Sequence, residues 1–249
     1  MARTLVLLLV ALLSAPVAHA ARGDRITPEE RYELGLRYMR RGYYVKALEQ
    51  FNHLRNYERD DPHAVLAELA IADLHFKKAE YDQARLAYED FLRLHPRHER
   101  DDYVYYRMGL CLWRKAPSVA SRDQTWTRQA VDVWSAFTAR YPRSEYSGEV
   151  EDLLDAGRAR LARKELVIGN FYLRREAWKA ASGRYKGLLE TWPSSPDADL
   201  ARALLGQSLA QDGDVGGARA LLETLRADPP EDGTARRAAG RLERMVAPR

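Results

Sequence analysis

Gly169–Pro193 reads GNFYLRREAWKAASGRYKGLLETWP, and the spacing of its small and aromatic residues decides the fold. Gly169 is followed three places on by Tyr172, Ala181 is followed four places on by Tyr185, and Pro193 closes the stretch. Residues three or four apart share one face of a helix. The pattern therefore describes two helices, each carrying a small residue beside a large one. Small side chains let the backbones approach, large ones fill the space beside the contact, and proline ends the second helix.

The series occurs five times. Leu34-Gly35 with Tyr38 precedes Ala47 and Phe51, and Ile71-Ala72 with His75 precedes Ala84, Tyr88 and Pro96. Met108-Gly109 with Leu112 precedes Ala130, Trp134 and Pro142. Ile168-Gly169 with Tyr172 precedes Ala181, Tyr185 and Pro193, and Leu205-Gly206 with Leu209 precedes Ala218, Leu222 and Pro230. Small residue and alanine stand 12 apart in four of the five, as do alanine and proline; the first repeat has Arg59 in the proline's place. This is the register of tetratricopeptide repeats. It predicts an all-α solenoid of five tetratricopeptide-like helix pairs wound into a right-handed superhelix. The repeat-packing positions are Gly35, Ala47, Ala72, Ala84, Gly109, Ala130, Gly169, Ala181, Gly206 and Ala218.

Two intervals exceed the usual 37 residues between successive alanines. Nine extra residues before Ala130 fall in the loop APSVASRDQT (116–125), and fourteen before Ala181 fall between Pro142 and Gly169. The second surplus lies in a proline-free stretch with Val150, Leu154, Leu161 and Ile168 at helical intervals. That predicts one long helix, its added residues contributing about 21 Å, with Gly148, Gly157 and Gly169 as its weak points. Thr27-Pro28-Glu29-Glu30 is a capping box with proline at the first helical position. Ser195-Pro196-Asp197 is expected to open the fifth repeat likewise, and TARRAAGRLERM (234–245) to form a terminal capping helix.

The first twenty residues, MARTLVLLLVALLSAPVAHA, carry Arg3, an apolar run from Leu5 to Leu13 and an Ala18-His19-Ala20 site, the layout of a secretory signal peptide. The expected organisation is signal peptide 1–20, spacer 21–27, repeat array 28–230, and capping helix with tail 231–249. The chain has one cysteine, Cys111, in the apolar run MGLCLW, so no disulfide within the chain is possible and a buried hydrophobe is expected there. Ala20, Ala21 and Arg22 stand where a lipidated cysteine would, so a lipid anchor is not expected. A net charge of +4 comes from interleaved acids and bases, without a basic patch dense enough for nucleic acid.

No catalytic or metal motif stands out. His95-Pro96-Arg97-His98 lacks a third ligand at zinc spacing. Asp60-Asp61 and Asp101-Asp102 are adjacent, point apart on a helix, and are read as caps or solvated acids. There is no G-x-S-x-G, Walker loop or H-E-x-x-H. The expectation is a protein without enzymatic activity, without a cofactor and without a bound metal.

More specific than the repeat are FLRLHPRHERDDYVYYRMGL (91–110), Arg122-Asp123 in the insertion, FTARYPRSEY (137–146) and EAWKAASGRYKGLLETWP (176–193), in that order. Together these resemble the outer membrane assembly factor family BamD, also called YfiO or ComL, over roughly residues 28–226. The resemblance implies a five-repeat periplasmic scaffold at the inner face of the outer membrane. Implied partners are a BamA-like barrel protein, unfolded outer-membrane protein segments and other assembly-complex lipoproteins. It implies partner-binding candidates at Arg184 and Tyr172, and a substrate groove near Tyr38, Tyr44 and His75. A departure is Asn56-Tyr57-Glu58-Arg59, where the family commonly has an Arg-Tyr-Pro turn. The alternative within this architecture is a periplasmic adaptor of envelope coordination resembling the Tol-Pal-associated protein CpoB.

Overall fold

The computed structural model describes residues 26–247. The signal-peptide and lipidation expectations fall outside the described residues. Within them the chain forms α1 (Pro28–Arg40), α2 (Tyr44–Tyr57), α3 (Pro62–Lys77), α4 (Tyr81–Leu94), α5 (Asp101–Lys115) and α6 (Thr125–Arg140). Then follow α7 (Ser147–Leu173), α8 (Trp178–Thr191), α9 (Ala198–Asp212), α10 (Val215–Ala227) and α11 (Gly233–Val246). No strand occurs among the described residues. Each helix packs on the next through α10, and α11 returns onto α9 and α10. The core is accordingly a series of four clusters along the stack rather than one centre. A helical repeat solenoid has this layout because each repeat buries its apolar face only on its neighbours.

The small residues meet the large ones as the spacing requires. Ala47, Ala84, Ala130, Ala181 and Ala218 are completely buried. A Cβ added at Gly35 would lie 2.5 Å from Phe51 Cε1, and one at Gly169 or Gly109 would overlap Tyr185 or Trp134. The fifth repeat differs. Gly206 faces Leu242 of α11, 2.5 Å from an added Cβ, rather than Leu222 of α10. Leu222 stands where the other second helices carry an aromatic ring, and the terminal helix fills the space at Gly206.

The turn within a repeat is also periodic. Gly42, Ala79, Glu176 and Gly213, each five residues before the buried alanine, all have positive φ, at 78°, 59°, 58° and 97°. The next amide bonds back to the first helix, as in Tyr43 N to Tyr38 O at 2.9 Å and Asp214 N to Leu209 O at 2.9 Å. In the third repeat the insertion replaces this turn. There the fully buried Gln124 donates to the carbonyls of Pro117 and Val119, at 3.2 and 2.9 Å, and accepts from Thr127 Oγ1 at 2.5 Å.

The long helix is unbroken over 27 residues despite its glycines. Gly157 explains one of them, since a Cβ there would lie 2.6 Å from Val131 Cγ2 of α6. One turn further, the Arg160 guanidinium lies 3.7 Å from the Trp113 ring centroid and Nη1 donates to Pro117 O at 3.4 Å. The two irregularities, insertion and long helix, are thus one packed unit.

Helix ends follow local chemistry. The Thr27–Glu30 capping box is formed, with bonds of 3.2 and 2.8 Å. Pro96, Pro142 and Pro193 each follow directly on a helix C-cap, whereas Pro62 starts α3 with Asp61 as its cap. The fifth repeat does not open as expected: Asp197 is the N-cap of α9 but its side chain makes no capping bond. That carboxylate instead meets Arg163 of α7 at 2.6 Å.

Candidate partner-binding surfaces

Arg184 projects from α8 and directly precedes Tyr185. Because Tyr185 takes the buried position, Arg184 is left near the surface with its side chain 44% exposed. Its Nη1 donates to Glu165 Oε2 of α7 at 3.1 Å, so the guanidinium is anchored at one edge and open at the other. Tyr172 lies near the end of α7, half-buried against the C-terminal cluster, its ring 5.4 Å from Phe171 in an edge-on arrangement. Phe171 is the more exposed of the two, and the Arg175 guanidinium lies 4.3 Å from its ring. This aromatic and cationic tip was not singled out from the sequence, although FYLRR states it directly.

Beside the middle of α7 lies a cleft of about 680 Å³, lined by Val131, Asp155, Ala159, Trp192, Pro193 and Ser195 among others. Its walls come from α6, the added turns of α7 and the α8–α9 turn, so the long helix creates it.

At the other end of the array, Tyr38 and Tyr44 pack on the first cluster, and His75 sits at the end of α3. Tyr38 meets Tyr43 edge-on at 6.4 Å, and Lys46 Nζ lies 5.7 Å from both ring centroids. His75 Nδ1 is 2.7 Å from Glu80 Oε2, so its ring is already engaged within the repeat. Tyr38, His75 and Tyr172 occupy the same repeat position, three after the small residue. They line successive repeats rather than converging on one point. A smaller cleft, about 380 Å³, is lined by Arg55, Arg59, Glu68 and His95, with His95 Nε2 2.7 Å from Glu68 Oε2.

Asp61, Asp102 and the thiol have structural roles, whereas Asp101 is neither cap nor fully solvated: its Oδ1 is buried without a hydrogen-bond partner, and burial raises its carboxyl above the usual value. Asp61 caps α3, accepting from His63 N at 2.8 Å, and that bond holds its carboxyl below the usual value. Asp102 accepts from Ser144 Oγ at 2.6 Å, tying α5 to the turn after α6. Burial pushes the Cys111 thiol up to about 12, which keeps it protonated and unreactive. Among the described residues no three His, Cys, Asp or Glu side chains are placed to hold a metal ion, and no helix is long and apolar enough to cross a membrane. The surface presents aromatic rings, a tethered arginine and clefts between packed helices.

The family profile described as YfiO, outer membrane lipoprotein, matches residues 24–223. The outer membrane protein assembly factor BamD of Xylella fastidiosa strain Temecula1 is 30% identical over 219 residues, covering 83% of this chain and 75% of its own length. That of Vibrio cholerae is 27% identical over 189 residues, covering 72% and 77%. Among solved structures, the TPR2AB domain of yeast Sti1 in its pHSP90 complex aligns with a TM-score of 0.44 and 13% identity, covering 88% of this chain and 84% of that one. The family match takes in the insertion, the long helix and the first four repeats whole: the chain belongs to the YfiO family of outer membrane lipoproteins, whose relatives here are named as BamD assembly factors.

Proposed function

We propose that this protein is a non-catalytic scaffold of outer-membrane β-barrel assembly, held at the inner face of the outer membrane through its partners. It binds a BamA-like barrel protein together with unfolded outer-membrane protein segments, alongside other lipoproteins of the complex. The observation that carries this reading is the match over residues 24–223 to relatives named as outer membrane protein assembly factors. The α7–α8 surface around Arg184 and Tyr172 receives the barrel protein, and the first two repeats, near Tyr38, Tyr44 and His75, receive substrate. Both assignments are supported by exposed aromatic and cationic groups on helices that are themselves fixed by packing. The mechanism needs no bond making. Two surfaces on one stiff stack hold an unfolded segment close to the barrel protein, which raises its effective concentration there.

Affinity purification from envelope membranes tests this. A BamA-like barrel protein is expected among the recovered partners. Its repeated absence, in material where the tagged protein restores growth or assembly to a depleted strain, overturns the reading.

A further inference from the structure

The family match ends at residue 223, within α10, and α11 lies beyond it. This last helix is sharply two-sided. Ala235, Ala238, Leu242 and Val246 are buried against α9 and α10. On the opposite side Arg237, Arg241 and Arg244 are exposed. At about 100° per residue these three fall within an arc of about 60°, and their Cα atoms span about 10 Å along the axis. Among the described residues none of the three forms an ion pair with a carboxylate, though Arg237 lies near enough to Asp232 for its charge to act there. Arg237 donates only to Thr234 Oγ1, at 3.3 Å, while the acid on this helix, Glu243, points to Arg226 at 2.5 Å. No described helix covers the face they form.

The geometry points to an electrostatic docking face for anionic phospholipid headgroups of a bilayer surface. Guanidinium groups match phosphate oxygens in a two-point fork, and three on one helix face can each take a phosphate of the same surface. The composition of the face favours a bilayer over a protein partner. Its neighbours are Thr234, Gly240 and, at its rim, the exposed Met245, so it lacks the aromatic or branched aliphatic anchors that form the centre of a protein interface. Adsorption to an anionic surface requires only the charges, with shallow apolar contact at most. The scaffold reading places the protein beside a membrane, and α11 gives it a surface that lies flat there.

Flotation of the purified full-length protein with vesicles tests this, comparing phosphatidylcholine alone with phosphatidylcholine containing phosphatidylglycerol. Binding is expected only to the anionic vesicles and falls steeply with salt. The R237Q/R241Q/R244Q variant, whose changes are all solvent-facing, is expected to keep its melting temperature and lose binding on the order of 100-fold, at about a factor of five per arginine. A control with the same charge removed elsewhere, R114Q/R128Q/K179Q, is expected to bind like wild type. Equal binding by wild type and the α11 variant overturns the proposal. So does an equal loss in the control, which makes net charge the cause, and so does retention on polyglutamate without vesicle binding, which makes the face an acidic-protein site. The assay contains no partner protein, so its failure leaves the scaffold reading standing, and failure of the affinity purification leaves this one standing.

Discussion

The Tyr185 hydroxyl donates to the Asn170 carboxamide oxygen at 2.7 Å, across the contact that Gly169 opens between α7 and α8. The second repeat does the same, with Tyr88 donating to Asp73 at 2.5 Å. Where the second helix carries Phe51 or Trp134 instead, the residue after the small one is Leu36 or Leu110. A ring with a hydroxyl therefore faces a polar acceptor, and a ring without an acidic or carboxamide partner faces leucine. A buried hydroxyl without a partner costs more than no hydroxyl at all. Tyr185→Phe is expected to destabilise the fold by about 0.5–1.5 kcal/mol by removing the bond to the half-buried Asn170. Adding Asn170→Leu should recover most of the loss. Denaturant melts of the two single variants and the double variant measure the coupling, and strictly additive losses contradict it.

Gly169→Ala and Gly183→Ala make a pair of opposite sign. The new methyl at 169 overlaps the fully buried Tyr185 ring, and the strain of moving that ring, about 1–3 kcal/mol, outweighs the helix preference for alanine of about 1 kcal/mol. At Gly183 nothing lies within 4 Å of the added Cβ, so only the preference remains and stability rises by up to about 1 kcal/mol. Thermal melts decide it; a neutral Gly169→Ala removes the close-packing account of the repeat.

Ala79 and Glu176 hold the left-handed turn conformation that Gly42 and Gly213 hold elsewhere. For a residue with a Cβ this costs about 1–2 kcal/mol. Ala79→Gly and Glu176→Gly are each expected to raise the melting temperature, the relief of strain exceeding the entropy that glycine adds to the unfolded chain. An unchanged or lowered value for both speaks against strain at this position.

Arg184→Leu separates recognition from folding. Its ion pair with Glu165 is partly exposed and is worth about 0.2–1 kcal/mol, so the melting temperature should hardly move. Recovery of the barrel protein should fall strongly. A large stability loss with partner recovery intact would show the arginine to be structural. Ala181→Leu provides the contrast, since overfilling a completely buried site is expected to cost about 1–3 kcal/mol.

Acid should weaken two helix starts. Asp61 and Asp232 each accept a backbone bond, from His63 N and from Ala235 N, and those bonds hold both carboxyls below the ordinary value of 3.8. Each binds its proton less tightly when folded than when unfolded, so unfolding takes up protons in this range. The stabilisation is complete above the ordinary value and is lost as pH falls through the lower folded values. The melting temperatures of wild type and Asp61→Ala/Asp232→Ala should differ at about pH 7 and converge towards about pH 2. A gap that persists undiminished in acid contradicts the assignment.

Taken alone, the sequence determined the helical class and the five-fold register, because the distances between small residues are fixed by the 3.6-residue turn and survive without knowledge of any neighbour, while the ordered motifs between residues 91 and 193 carried the family resemblance. It also placed Tyr185 inside, since the position four after the buried alanine lies on the same packed face of its helix. Only the tertiary structure decided which side chain fills each gap. Gly206 meets Leu242 from a helix beyond the repeats, Asp197 turns to Arg163 rather than capping its own helix, and Arg160 of the long helix clasps the insertion at Pro117. These are contacts between residues far apart in the chain. Their partners are set by how the stack brings helices together, and no local spacing encodes that.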